Sequence, residues 1–273
     1  WVTYSEIVKL AEGKVSLVRT SIENKYKMTA AELEAAIKPE TRLFIFSSPC
    51  NPSGSVYTRE ELSALAEVFK KHPDVFIISD EIYEYINFVG KHESIAQFEE
   101  LKDRIIIING LSKGYAMTGY RLGYIAAHPD VIKACEKLQG QFTSGTCSIT
   151  QKAGLAALEG GLKEVHEMRD AFLKRRGIVH ELLSQIEGLK VNLPDGAFYF
   201  FPDVSSFFGK SVDGKTLNNA EDISLYLLNT AHVSTVTGEA FGNEKCIRIS
   251  YAASEDELRE ACKRIAAALT NLK

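Results

Sequence analysis

The chain has 273 residues, 45% of them hydrophobic and 25% charged, enough for one large α/β domain and a smaller one, since single cores stop growing at about 250 residues. Lys and Arg number 32 against 36 Asp and Glu, so there is no basic excess or polybasic block; nucleic acid and membrane are excluded as partners, and a small molecule or another subunit is expected. The five cysteines, Cys50, Cys135, Cys147, Cys246 and Cys262, are scattered without a C-x-x-C pair, and no apolar run approaches the ~18 residues of a bilayer span, so a reducing, cytoplasmic setting is expected and no metal ligands are assigned.

The chain opens on Trp1-Val2-Thr3-Tyr4, with neither Met nor a targeting pattern, and is expected to be a fragment or processed product. Short β-rich apolar runs follow at 15–18, 42–47, 75–79, 104–109 and 122–127, interleaved with helical spacing at 30–37, 59–71 and 129–138. That alternation predicts a mixed, mainly parallel sheet sandwiched by helices. The runs at 43–46, 75–78 and 105–108 are apolar throughout, as in strands buried on both faces, and ligands bind at the carboxyl ends of such strands. From 164 to about 187 the pattern becomes one long charged helix. Beyond it, short strands at 191–193, 197–201, 233–237 and 246–251, a helix near 220–229 and a closing helix from about 254 make an α+β unit. The expected domains are 1–165 and 166–273.

The loops after the buried runs carry the polar residues that stand out. Asn51, in Ser48-Pro49-Cys50-Asn51-Pro52-Ser53-Gly54, is held out of the helical region by the following proline. It is either an amide offered to a ligand oxygen or part of a tight turn. Asp80, in Ser79-Asp80-Glu81-Ile82-Tyr83-Glu84, stands at a strand's carboxyl end, where it and Tyr83 can reach one ligand once the chain turns; a helix-capping Asp is the other reading. A carboxylate in such a crevice needs a cation or a protonated ring nitrogen beside it.

Lys113 lies among small and apolar residues in Gly110-Leu111-Ser112-Lys113-Gly114-Tyr115. Desolvation there makes its amine a nucleophile toward aldehydes, although a lone lysine is more often a solvated one. Ser112 and Arg121 flank it with a hydroxyl and a forked cation suited to a phosphate, while neither glycine-rich phosphate fingerprint occurs. Arg248, in Cys246-Ile247-Arg248-Ile249-Ser250-Tyr251, is either a clamp for a carboxylate or an exposed arginine on an edge strand.

Asn51-Pro52-Ser53-Gly54, Ser79-Asp80-Glu81-Ile82-Tyr83, Ser112-Lys113 with Thr118-Gly119-Tyr120-Arg121, and Arg248-Ile249-Ser250-Tyr251 together resemble, in order and spacing, the class I aminotransferase family. Bacterial aspartate aminotransferases are the nearest likeness, over essentially the whole chain. The resemblance implies a pyridoxal-phosphate enzyme of fold type I, with a large cofactor-binding domain and a smaller α+β domain. It also implies that part of the family's N-terminal region lies outside this sequence, with a Gly-rich phosphate turn and most groups that select the substrate side chain.

By the same resemblance, Lys113 holds the cofactor covalently and shuttles the proton, Asp80 pairs with the pyridine nitrogen, and Tyr83 and Asn51 bond the ring's phenolic oxygen. Ser112 and Arg121 take the phosphate, Arg248 with Asn51 takes the substrate carboxylate, and Trp1 stacks on the ring. Cys50 and Tyr120 stand where family members often carry Asn and Trp. The implied reaction moves an amino group from aspartate or a similar amino acid to a 2-oxo acid such as 2-oxoglutarate, in a homodimeric full-length protein. A carbon–sulfur β-lyase using the same residues, and a non-catalytic sensor domain, are the alternatives.

Overall fold

Three helix starts in this chain are encoded by Ser/Thr-x-x-Glu. Thr29 with Glu32, Thr58 with Glu61 and Ser254 with Glu257 each form a reciprocal cap, the hydroxyl accepting the third residue's N–H and the carboxylate accepting from the capping residue's own N–H, which satisfies two otherwise orphaned donors. In the computed structural model, which describes residues 1–273, the helices are α1 (Thr3–Leu10), α2 (Ala30–Ala36), α3 (Arg59–Lys71), α4 (Pro129–Phe142), α5 (Ser148–Glu159), α6 (Lys163–Ser184), α7 (Ala220–Tyr226) and α8 (Glu255–Thr270). The strands are β1 (Leu43–Ser47), β2 (Phe76–Asp80), β3 (Ile105–Gly110), β4 (Gly123–Ala126), β5 (Tyr199–Phe200), β6 (Ser211–Val212), β7 (Lys215–Thr216), β8 (Val236–Thr237) and β9 (Ile247–Ser250). No helix is long and apolar enough to cross a membrane.

The chain packs as two compact units, one of residues 28–50 and 56–169, the other of 1–27, 51–55 and 170–273. In the first, the sheet runs β1-β2-β3-β4. β1, β2 and β3 are parallel and β4 is antiparallel to β3, so the mixed, mainly parallel sheet expected from sequence is present. Register sets Ser47 beside Asp80 and Asp80 beside Ile108, placing the ends of all three parallel strands at one edge. Helix α3 buries Leu62, Leu65, Ala66 and Phe69, spaced by three and four residues, with Phe69 against Phe44 of β1. Arg104 closes the C-terminal end of α3, donating to the carbonyls of Phe69, His72 and Val75 at 2.7–3.1 Å, where orphan carbonyls and the helix dipole favour a cation.

The second unit holds the sheet β5-β9-β8, all antiparallel, and the β6-β7 hairpin. Its core joins Phe200 and Tyr251 with Val179 and Leu183 of α6, Ile223 of α7, and Ile265 and Leu269 of α8. The Tyr251 hydroxyl is buried but satisfied by the Ala197 carbonyl.

Several expectations are corrected. The run at 15–18 forms no strand, because no partner pairs with it, and Val15 and Leu17 are exposed. Residues 191–193 lie outside any strand; pairing there is confined to an isolated bridge from Lys190 to Asp203. The apolar strands are not uniformly buried on both faces: Leu43 and Phe76, register partners at the first positions of β1 and β2, are exposed, and Phe44 to Phe46 of the edge strand β1 are half-buried. Helices α1 and α5 were not anticipated.

Candidate active site

In the sheet unit, Asp80 is the last residue of β2, and its Oδ1 accepts the N–H of Ile82 at 3.2 Å. This local bond turns the chain sharply at the strand's end, and Tyr83 follows as a buried residue. The loop after β3 brings Lys113 to the same group, with its Nζ over the Tyr83 ring, 5.9 Å from the centroid. Gly114 lets the loop lie close against Tyr85, since a Cβ there would lie 2.6 Å from its Cδ2. Ser112 and Lys113 are half-buried. Arg121 is exposed, in the left-handed region, and donates to the Thr118 carbonyl of its own turn at 2.8 Å.

The other unit holds a second arrangement. Arg248 on β9 donates from Nη1 to Oδ1 of the buried Asn51 at 2.9 Å. Its guanidinium lies over the Tyr199 ring at 4.6 Å and the Phe241 ring at 5.0 Å, which fixes its plane. Arg248 Nε is buried with no partner, and an orphaned donor of that kind is costly unless an acceptor arrives. The expected exposed edge arginine is therefore not what Arg248 is: β9 is the central strand of its sheet.

Asn51 is held by its turn. Gly54 has φ +68°, and a Cβ on it would lie 2.3 Å from Cβ of Pro194 and 2.6 Å from the Gly196 carbonyl; that close approach permits the Gly196 N–H to reach the Gly54 carbonyl. Trp1, in this same unit, is 50% exposed. Tyr199 and Phe241 were not singled out from sequence; the signal available was only that Tyr199 belongs to an alternating run.

The sequence profile of the family described as Aminotransferase class I and II matches residues 1–265. The chain belongs to that family. It is 45% identical over 278 aligned residues to a bifunctional aspartate aminotransferase and glutamate/aspartate-prephenate aminotransferase of Petunia hybrida, covering 100% of this chain and 58% of that protein. To an aspartate aminotransferase of Pinus pinaster it is 42% identical, covering 100% of this chain and 56% of the relative. The aspartate aminotransferase structure from Rhizobium meliloti superposes with a TM-score of 0.96 at 42% identity, covering 100% of this chain and 69% of that one. The chain thus spans a little over half the length of the two plant relatives. Members of this class I and II family use pyridoxal phosphate.

Proposed function

We propose that this chain is the main part of a pyridoxal-phosphate-dependent aminotransferase that transfers the amino group of aspartate or a similar amino acid to a 2-oxo acid such as 2-oxoglutarate. The observation that carries the reading is Lys113 Nζ over the Tyr83 ring in a loop that follows a parallel strand, within a chain of this family. The donor set fits the cofactor: an amine for its aldehyde, a carboxylate for its ring nitrogen, a phenol for its ring hydroxyl, and a hydroxyl and a guanidinium for its phosphate. Pyridoxal phosphate, when bound, supplies an electron sink for the pair released at the substrate α-carbon.

In this reading the chain's own residues do the rest. Asp80 keeps the ring nitrogen protonated by placing a carboxylate against it. Tyr83 and Asn51 hydrogen-bond the ring oxygen, Ser112 and Arg121 hold the phosphate, and Trp1 covers the ring face. Lys113 Nζ would take the proton from the substrate α-carbon and later return one. Arg248, with Asn51 beside it, takes the substrate's α-carboxylate through its unfilled donors.

Residues 1–165 then act as the cofactor-binding domain of fold type I and 166–273 as the small domain, in a cytoplasmic homodimer. Phe142, 82% exposed, and Ile149, 76% exposed, are apolar groups that a second subunit would cover.

The test is loading the full-length protein with pyridoxal phosphate, reducing it with borohydride and mapping the modified peptide, followed by incubation with aspartate. Modification at Lys113 and formation of oxaloacetate with the aminated cofactor are expected. Modification elsewhere, full turnover by Lys113→Ala, or pyruvate release from cysteine conjugates without amino transfer would overturn the assignment.

A further inference from the structure

Behind the edge that carries Asp80, in the sheet unit, lies a cluster that the proposed reaction does not use. Glu81 is 4% exposed, and its Oε1 accepts from Ser79 Oγ at 2.9 Å and Ser94 Oγ at 2.6 Å. Its Oε2 is 2.9 Å from Nε2 of His92. Glu84 sits alongside, half-buried. Glu81, Glu84 and His92 each present one ligand atom, and these atoms lie within 4.8 Å of one another.

We propose that Glu81, Glu84 and His92 bind one divalent transition metal of the zinc type, through one imidazole nitrogen and two carboxylates. Such an ion, at about 2.0–2.2 Å from nitrogen and carboxylate oxygen, holds its ligands roughly 3–3.5 Å apart. The Glu81–His92 pair already stands at 2.9 Å, so Glu84 alone has to swing in. Serine hydroxyls on Glu81 fix the orientation of that carboxylate, the outer support that metal-ligating groups require. Two carboxylates and a neutral imidazole carry the charge that one dication neutralises.

A second observation points independently to a ligand. Glu84 and His92 line a cavity of about 200 Å³ together with Tyr85, Asn87, His166 and Arg169. Asn87 is 6% exposed, and while its Oδ1 accepts from the Val89 N–H, its Nδ2 is buried with no partner. A metal with three protein ligands keeps its fourth position for water, and an oxygen held there is an acceptor for Asn87 Nδ2. His92 Nδ1 is likewise buried and unpartnered. When Nε2 gives its lone pair to the metal, the ring proton resides on Nδ1. The ligands are 3 and 8 residues apart from one another in sequence, outside the usual zinc spacings, so only the fold brings them together.

Titration of the metal-depleted chain with Zn²⁺ and Co²⁺ tests the site, after alkylation of the exposed Cys135 and Cys147, which would otherwise compete as thiolates. One equivalent is expected to bind, with a Co²⁺ spectrum of nitrogen and oxygen ligation and no thiolate band, and with a rise in Tm. His92→Ala and Glu84→Gln are each expected to weaken binding by at least about tenfold. Glu84→Gln keeps the shape of the side chain, so its metal-free fold, checked by circular dichroism, remains that of the parent. Absence of stoichiometric binding, or affinity unchanged in both variants, would overturn the proposal.

Discussion

Arg248 Nη1 donates to Asn51 Oδ1 at 2.9 Å while the guanidinium plane is held over Tyr199 and Phe241. A fork oriented in this way offers its remaining donors in a fixed direction, and Nε, buried without a partner, is the one that most needs an acceptor. A carboxylate fills that need with two parallel bonds. Lysine keeps the charge but has neither the fork nor the flat face that stacks on rings. Arg248→Lys in the full-length enzyme is therefore expected to raise KM for the amino acid about 10–100-fold, or roughly 1.4–2.8 kcal/mol, with a smaller change in kcat. An unchanged KM in steady-state assays would exclude Arg248 as the carboxylate clamp.

Asp80 ends β2, between Ser47 of β1 and Ile108 of β3 in register, and its Oδ1 already accepts the Ile82 N–H. Replacing it with asparagine preserves size and that local bond but removes the charge. If the carboxylate acts on a ring nitrogen, Asp80→Asn lowers kcat by about 10²–10³, the range found when one aligned electrostatic group is removed, and leaves the melting temperature close to the parent's. A loss of fold with no separate loss of kcat would make Asp80 a turn residue only.

Much of the sheet unit was legible in the sequence, because β1, β2 and β3 are apolar runs and a full helix, α3, separates the first two. Helix α3 follows its spacing and its Thr58 cap to the residue, Arg59–Lys71. Legibility failed where the signal is short or diluted. β5 and β8 fall inside the expected runs at 197–201 and 233–237 but are only two residues each, so those runs overstate their bounds, and the two-residue strands β6 and β7 are too short for alternation to declare itself. Helix α5 mixes Ala and Gly with Ile149, Leu155 and Leu158 left exposed, so no clean apolar stripe marks it. Lys113, Asp80 and Arg248 could be picked out because each follows or lies within an apolar strand. Tyr199 and Phe241 could not, since an aromatic in a core strand or turn has the same sequence signature whether or not an arginine packs on it.

Gly54 is the residue on which the Asn51 turn depends. Its φ of +68° lies in the region that costs residues with a Cβ, and the space is filled by Pro194 and the Gly196 carbonyl. Neither neighbour is the end of a flexible side chain, so a methyl group there displaces backbone. Gly54→Ala is expected to destabilise the protein by about 2–4 kcal/mol and to impair substrate binding through Asn51. Thermal melting and KM measured on the same preparation check both effects, and a Tm within a degree or so of the parent's would show that the turn tolerates a side chain.

The buried thiol of Cys262, on α8, is one of the groups through which stability falls at alkaline pH. Desolvation pushes it up from 9.0 to about 11, because the thiolate would have to form among apolar neighbours. The folded state therefore keeps the proton at pH values where the unfolded chain loses it. Stability from this group is fully present below about pH 9 and falls as pH rises toward about 11. Cys262→Ala removes the titrating group at the cost of a small cavity. Its denaturant midpoint is expected to lie below the parent's at neutral pH, with the gap narrowing between pH 9 and 11. Parallel curves across that window, measured under reducing conditions, would show that Cys262 is not the group that sets the alkaline slope.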